Sequence, residues 1–338
     1  MDPITGKLQS LVEKSRTRRA FLAGAGSVAA AAALAGCSDD GTIALPATST
    51  VTDADILTFA LNLEYLEAEF YLRAATGAGL ASANIGGSSA GAVTVPTTTK
   101  LSGLTSFQQN LLNELAYTEQ QHVVYLRSAL TAAGATPINR PAIDFVNSFN
   151  AIASLATIGS SFNPFVNFDS FITAAAIFED VGVTAYNGAA PLISAAGVKA
   201  GYLAAAAGIM ATEAYHGGAL RGYIINQAVT LGTTAYPYYT YFNLIQGVVS
   251  SLSSSYGTLN LAGASATATV TVPTTVTSDN AVPADSNALA YHRTTDQVLH
   301  VVYGTFSPTS GSTTPAAGVT KGGFFPAGLN GNITATKS

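Results

Sequence analysis

This sequence predicts an all-α protein, a four-helix bundle with a long connection in its middle, and three observations predict it. Apolar segments with helical patterning and helical length fall in four places, near residues 53–76, 106–133, 169–195 and 200–230. Two of these segments carry one signature, Glu119-Gln120-Gln121-His122 and Glu213-Ala214-Tyr215-His216, and each runs on to a leucine and an arginine. Both copies therefore read Glu-x-x-His-x-x-x-Leu-Arg, closing at Arg127 and Arg221. Ahead of each copy lies a segment whose glutamate is followed seven residues later by a tyrosine, Glu64 with Tyr71 and Glu179 with Tyr186. Seven residues is nearly two full turns, so each tyrosine shares its glutamate's face. A helix pair is written twice.

The first helix is expected from Asp53 as N-cap to a stop at Gly77. A Gly-, Ser-, Thr- and Val-rich loop follows, with a short β-hairpin expected near residues 92–101. Gly87-Ser88-Ser89-Ala90-Gly91 formally matches Gly-x-Ser-x-Gly, but it lacks the preceding strand and following helix that a nucleophile elbow requires. The second helix should start at a Ser106/Gln109 capping box and end before Gly134. Residues 137–164 form the crossover, with a short helix near 143–156. Pro191 should kink or end the third helix, and the Ala and Gly content of the fourth suggests close packing.

Beyond residue 230 the character changes. Tyr236-Pro-Tyr-Tyr-Thr-Tyr-Phe242 is aromatic, residues 264–277 alternate like a strand, and residues 285–304 have room for one more helix. This part reads as a loop-rich wrap over the bundle, or alternatively as a surface for self-association. His292 and His300 lie here without acids at metal spacing and read as structural.

Residues three apart on a helix point the same way, so each Glu-x-x-His aims a carboxylate and an imidazole at one place. A bundle of the four helices would bring Glu64, Glu119, His122, Glu179, Glu213 and His216 together as a di-iron or di-manganese carboxylate site. Two close divalent cations need several anionic oxygens, and a neutral imidazole for each suits Fe or Mn without soft ligation. Without ions, four carboxylates would be buried against one another at high cost. The first helix is ambiguous: alignment on the tyrosine selects Glu64, Glu67 lies one turn along as an alternative ligand or a hydrogen-bond partner, and Glu69 points away toward solvent. Tyr71 and Tyr186 could bond a ligand carboxylate or relay an electron, or could simply pack in the core. Arg127 and Arg221 read as helix-end charges or inter-helix ion pairs before catalytic groups.

The segments Asn62-Leu-Glu-Tyr-Leu-Glu-Ala-Glu-Phe-Tyr71, Phe178-Glu-Asp-Val-Gly-Val-Thr-Ala-Tyr186 and Glu213-Ala-Tyr-His-Gly-Gly-Ala-Leu-Arg221 resemble the ferritin-like superfamily. More narrowly, they resemble the branch that includes the desiccation-related proteins of plants and bacteria, as do Arg293-Thr-Thr-Asp-Gln-Val-Leu299 and Gly322-Gly-Phe-Phe-Pro-Ala-Gly-Leu-Asn-Gly331. The resemblance covers residue 53 to the C-terminus and implies an up-down-down-up bundle with a long crossover and a core of two Fe or Mn ions. It implies much less about the reaction. The expected function is redox chemistry on O2, peroxide or Fe(II) in stress protection, as a peroxidase, catalase or ferroxidase. The alternative is a non-catalytic scaffold with a degenerate metal site.

Thr17-Arg18-Arg19-Ala20-Phe21-Leu22 resembles a twin-arginine export motif. It precedes an Ala-rich run ending in Leu34-Ala35-Gly36-Cys37, which resembles a lipobox with Cys37 as the lipidated residue. The expected organisation is a signal peptide over 1–37, a tether over 38–52, the bundle over 53–230 and the extension over 231–338. Export to the cell envelope, with a lipid anchor, follows. Cys37 is the one cysteine, which excludes disulfides and thiolate metal sites. Charged residues are only 10% and the net charge is -5, so no basic patch for nucleic acid is present. The expected partners are metal ions, small oxidants and, through the anchor, a membrane.

Overall fold

The computed structural model describes residues 51–253, 261, 281–285, 287–304 and 318–335. The export motif, Cys37, most of the tether and the strand expected at 264–277 lie outside them. The described part is mostly helical, as the patterning predicts.

Helix α1 (Asp53–Thr76) is capped one residue before the expected position: Thr52 is the N-cap and exchanges hydrogen bonds with Asp55 in a capping box. Asp53 instead accepts from the backbone N–H and hydroxyl of Ser194. Gly77 ends α1 in the left-handed conformation at φ 85°, where a glycine pays no steric penalty. Helix α2 (Ser106–Ala132) shows the same one-residue offset, its box formed by Thr105 and Gln108 and not by Ser106 and Gln109. In both places two adjacent residues can cap, and the threonine takes the role.

The expected hairpin is absent. Val93–Thr94 (β1) instead pairs in parallel with Ile143–Asp144 (β2), fastening the first loop to the crossover. Gly87–Ser89 forms a 3-10 turn with no strand before it, so the Gly-x-Ser-x-Gly match is fortuitous. After β2 the crossover holds α3 (Phe145–Leu155), capped by Asp144. Helix α4 (Phe168–Ala189) then passes into a 3-10 turn containing Pro191, and the short α5 (Ala195–Ala200) leads through Gly201 to α6 (Tyr202–Leu231).

Helix α1 packs chiefly on α2, and α4 chiefly on α6, so the sequence repeat is also a repeat of helix pairs. The aromatic segment read as loop is helix α7 (Tyr238–Leu252), which lies against α4, α3, α6 and α8 (Thr295–Tyr303). Its buried face consists of Phe242, Ile245, Gln246, Val248, Val249 and Leu252, an i, i+3, i+4 pattern hidden in the sequence by tyrosines on the other face.

A phenylalanine cluster joins bundle, crossover and tail. The Phe70 ring stacks on Phe171 at 5.2 Å and meets Phe178 edge-on at 5.0 Å. Phe324 then packs against Phe149 at 5.2 Å and Phe178 at 5.3 Å. Each such pair contributes about 0.5–1.5 kcal/mol beyond the area it buries. Backbone pairing reinforces this, with Asp144 N–H bonded to Phe324 O and Arg293 N–H to Thr184 O. The Asn62 amide clasps Asn330, donating to its carbonyl and accepting from its N–H.

Candidate metal centre

All six residues predicted from the repeat meet in the bundle interior. Glu64, Glu119, His122 and Glu213 present ligand atoms within 4.8 Å of one another, and so do Glu119, Glu179 and His216. Glu119 belongs to both groups. Its Oε2 lies 3.0 Å from His122 Nδ1 and its Oε1 lies 3.1 Å from His216 Nδ1, so one carboxylate spans the two halves. Glu213, the matching residue of the second copy, reaches across to His122 Nδ1 at 3.4 Å. Glu64 and Glu179 each face their own side, at 3.2 Å from His122 Nδ1 and 3.3 Å from His216 Nδ1. Glu119 thus faces both histidines, while Glu64, Glu179 and Glu213 each face one.

The helices explain the convergence. On α2 and α6 the three-residue spacing sets Glu and His on the buried stripe, Leu115-Glu119-His122-Leu126 and Ile209-Glu213-His216-Leu220. Tyr71 and Tyr186 then hold Glu179 and Glu64 crosswise. Tyr71 of α1 donates to Glu179 Oε1 on α4, and Tyr186 of α4 donates to Glu64 Oε1 on α1. Burial and the adjacent carboxylates push both phenols well above their ordinary pKa, so both stay protonated as donors.

Electrostatically the cluster is short of positive charge. Burial, then Glu213, raises Glu119 to about 7 against the opposing pull of the histidines. Burial and neighbouring carboxylates push Glu67 and Glu213 well above the ordinary range, and burial raises Glu179. Burial alone would lower His216, yet Glu179 and Glu119 lift it to about 11, and His122 is raised likewise against burial by Glu64 and its neighbours. Glu67, Glu119, Glu179, Glu213 and both imidazoles thus hold protons more tightly than in water. A divalent cation answers that demand better than protons do, because it can face several lone pairs at once.

Among the described residues, Glu119 Oε1 and both oxygens of Glu213 are buried with no hydrogen bond. The approach of Glu119 Oε1 to His216 Nδ1 is close in distance without the angle of a hydrogen bond. Lone pairs that converge without bonding one another fit a cation between them.

Two expectations, on Glu69 and His300, need correction. Glu69 is not solvated: it is fully buried, accepts from Arg73 at 2.9 Å and from Arg140, and so ties the crossover to α1. Arg140 lies far along the chain, so the pair has no local signature. Glu67 is buried beside the cluster but falls outside both ligand groups, which leaves Glu64 as the α1 member. His300 does have an acid neighbour, Asp296 at 3.6 Å one turn before it, though neither belongs to a candidate metal group among the described residues.

Residues beyond these six also shape the site. Thr118 places its hydroxyl 3.1 Å from His216 Nε2, leaving Nδ1 for the carboxylate side. Threonine precedes the glutamate in both copies, as Thr118 and Thr212, a repeat that was there to be found. Arg127 bonds Tyr65 at 2.5 Å, and Arg221 bonds Asp180 at 2.5 Å. Each arginine thus holds the residue that follows the glutamate of the partner helix, and Arg221 also lies over the Phe242 ring at 5.1 Å. At Gly182 a Cβ would overlap Glu213 Oε2, so any other residue there would force that carboxylate to shift.

Fold and cluster together define a helical-bundle protein with a buried carboxylate and histidine centre able to hold metal. The chain belongs to the ferritin-like domain family, whose profile matches residues 52–241. Over 293 residues it is 27% identical to the ferritin-like catalase Nec2 of Nesocodon mauritianus, a match covering 83% of this chain and 84% of that protein. It is 29% identical over 185 residues to the desiccation-related protein PCC13-62 of Craterostigma plantagineum, covering 52% of this chain and 54% of that one.

Proposed function

We propose that this protein binds two iron or manganese ions through Glu64, Glu119, His122, Glu179, Glu213 and His216, and that it acts on hydrogen peroxide as a catalase. The observation that carries this is Glu119, whose two oxygens face the two histidine Nδ1 atoms while one of them makes no hydrogen bond. The name of the Nesocodon relative, a ferritin-like catalase, supports the choice of reaction. Two such ions, when bound, supply a pair of redox centres that exchange two electrons in all, which is what disproportionation of two peroxides to O2 and two waters requires.

The chain's own residues set the conditions. Tyr71 and Tyr186 fix the orientation of Glu179 and Glu64 through hydrogen bonds that cross the bundle. Thr118 fixes the His216 ring. Burial excludes bulk water, and Glu119, with its pKa near 7 in the metal-free chain, exchanges its proton for a cation near neutrality.

The N-terminal motifs support export by the twin-arginine route and lipid anchoring at Cys37, with the protein acting in the cell envelope under oxidative or drying stress. That route carries folded proteins, and a site built from four helices is loaded only as the chain folds.

The test is elemental analysis of protein purified without chelator, together with O2 evolution from added peroxide. About two Fe or Mn per chain and evolved O2, both lost in Glu119→Ala, are expected. A folded, metal-free protein that leaves peroxide untouched overturns the reading and makes the bundle a scaffold.

A further inference from the structure

On the α4 and α7 side of the bundle lies a cavity of about 40 Å³, walled by Phe149, Ile177, Val181, Val248 and Phe324 among others. Helices α1, α3, α4, α7 and α8 and the tail all contribute to its wall. Its lining is almost wholly apolar, and among the described residues Glu67 is the one lining it with a charged or polar side chain. Gly182 also lines it, and that same glycine abuts Glu213 Oε2 and lies near Glu67 Oε1. With no side chain at residue 182, the cavity wall and the carboxylate cluster share a boundary.

The chemistry of this wall selects an occupant. A single water needs only about 10–15 Å³, so size does not exclude it, but an ordered water also needs two to four polar partners. Glu67 is one. Peroxide, with two donors and several lone pairs, is still worse served. A small non-polar molecule loses nothing by entering and gains contact with aliphatic and aromatic groups. The only non-polar small molecule in the chemistry derived above is dioxygen.

We propose that this cavity is a dioxygen-binding pocket serving the carboxylate centre, holding the gas beside Glu67 and Gly182 while peroxide and water are kept out. It rests on the catalase reading for its role, in which dioxygen is the product, but not for its existence as a gas site. The protein thereby has an apolar compartment for the gas beside the carboxylate cluster.

Xenon, a non-polar probe of gas sites, tests the pocket directly. Crystals of the purified protein, pressurised with xenon, should show an atom between Val248 and Gly182, and Val248→Phe, which fills the cavity from α7, should remove it. A second measurement follows re-oxidation of the chemically reduced, metal-loaded protein by dioxygen and by peroxide. Val248→Phe should slow the dioxygen reaction several-fold and leave the peroxide reaction unchanged. Should Val248→Phe fail to fold, Val248→Leu gives the same result at smaller amplitude. No xenon in the wild-type cavity overturns the proposal. So does equal slowing with both oxidants, or slowing with neither. A protein found to carry no metal sinks the catalase reading while the xenon experiment still decides whether the pocket takes a gas.

Discussion

The two helix pairs of this bundle repeat one plan, yet they are not copies. In each, the arginine that ends the Glu-x-x-His-x-x-x-Leu-Arg motif grips the residue after the opposing glutamate. In the first pair that residue is Tyr65 and the arginine, Arg127, is partly exposed; in the second it is Asp180 and Arg221 is fully buried. The difference follows from what covers each half. Helix α7 lies against α4 and α6, bringing Gln246 to Asp180 and the Phe242 ring under Arg221. A second divergence falls three residues after the paired glutamates, where the first half has Glu67 and the second has Gly182. A carboxylate on one side is matched by the absence of any side chain on the other, and that absence admits Glu213. The repeat carries the ligands, and the glycine at position 182 leaves room for Glu213.

The strongest test of this asymmetry is metal content. Glu119→Ala should lose both ions because that carboxylate faces both histidines, whereas Glu64→Ala should lose about one, as counted by elemental analysis. Gly182→Ala should lower occupancy as well, by displacing Glu213. Next come the arginines. Arg221→Ala leaves Asp180 buried without its ion partner and should cost about 3–5 kcal/mol in chemical denaturation, while Arg127→Ala should cost about 1 kcal/mol. Equal losses would erase the contrast between the halves. The tyrosines should behave alike: Tyr71→Phe and Tyr186→Phe each remove one hydrogen bond to a carboxylate, about 1.5–3 kcal/mol apiece in the same assay.

The smallest effect is a pH slope. In chelated protein, Glu119 rises from 4.5 to about 7 and His216 from 6.5 to about 11. A raised folded-state value means that the native state holds the proton more tightly than the unfolded chain does. The resulting stability is complete below the unfolded values and declines as pH climbs through the folded ones. Chelated protein should therefore lose stability from pH 4.5 upward, on the order of 1 kcal/mol per pH unit, in denaturant titrations. Metal-loaded protein should not, since cations have replaced those protons. An apoprotein whose stability rises over the same range contradicts the charge-deficient cluster.

The contrast between halves also separates what the sequence discloses from what it hides. The ligands were legible because a helix converts spacing into direction, so Glu119 with His122 and Glu213 with His216 needed no tertiary knowledge. Tyr71 and Tyr186 were legible as neighbours of the site, but not their crossing, since each bonds the glutamate of the other pair. Glu69 was misread because its partner Arg140 is fixed by the crossover, whereas alignment on the tyrosine already selected Glu64 over Glu67. Helix α7 was hidden by tyrosines on its outer face. The N-caps slipped by one residue because Thr52 with Asp53 and Thr105 with Ser106 offer two capable side chains in a row.

The clasp between Asn62 and Asn330 sets an order of events. Asn62 stands two positions ahead of Glu64, and its amide is secured by a stretch that leaves the ribosome only after some 270 further residues. The first half-centre is consequently fastened by a stretch synthesised long after it. A nascent chain stalled or clipped before that point would carry every donor atom and still lack the final fastening of the helix that bears the first of them.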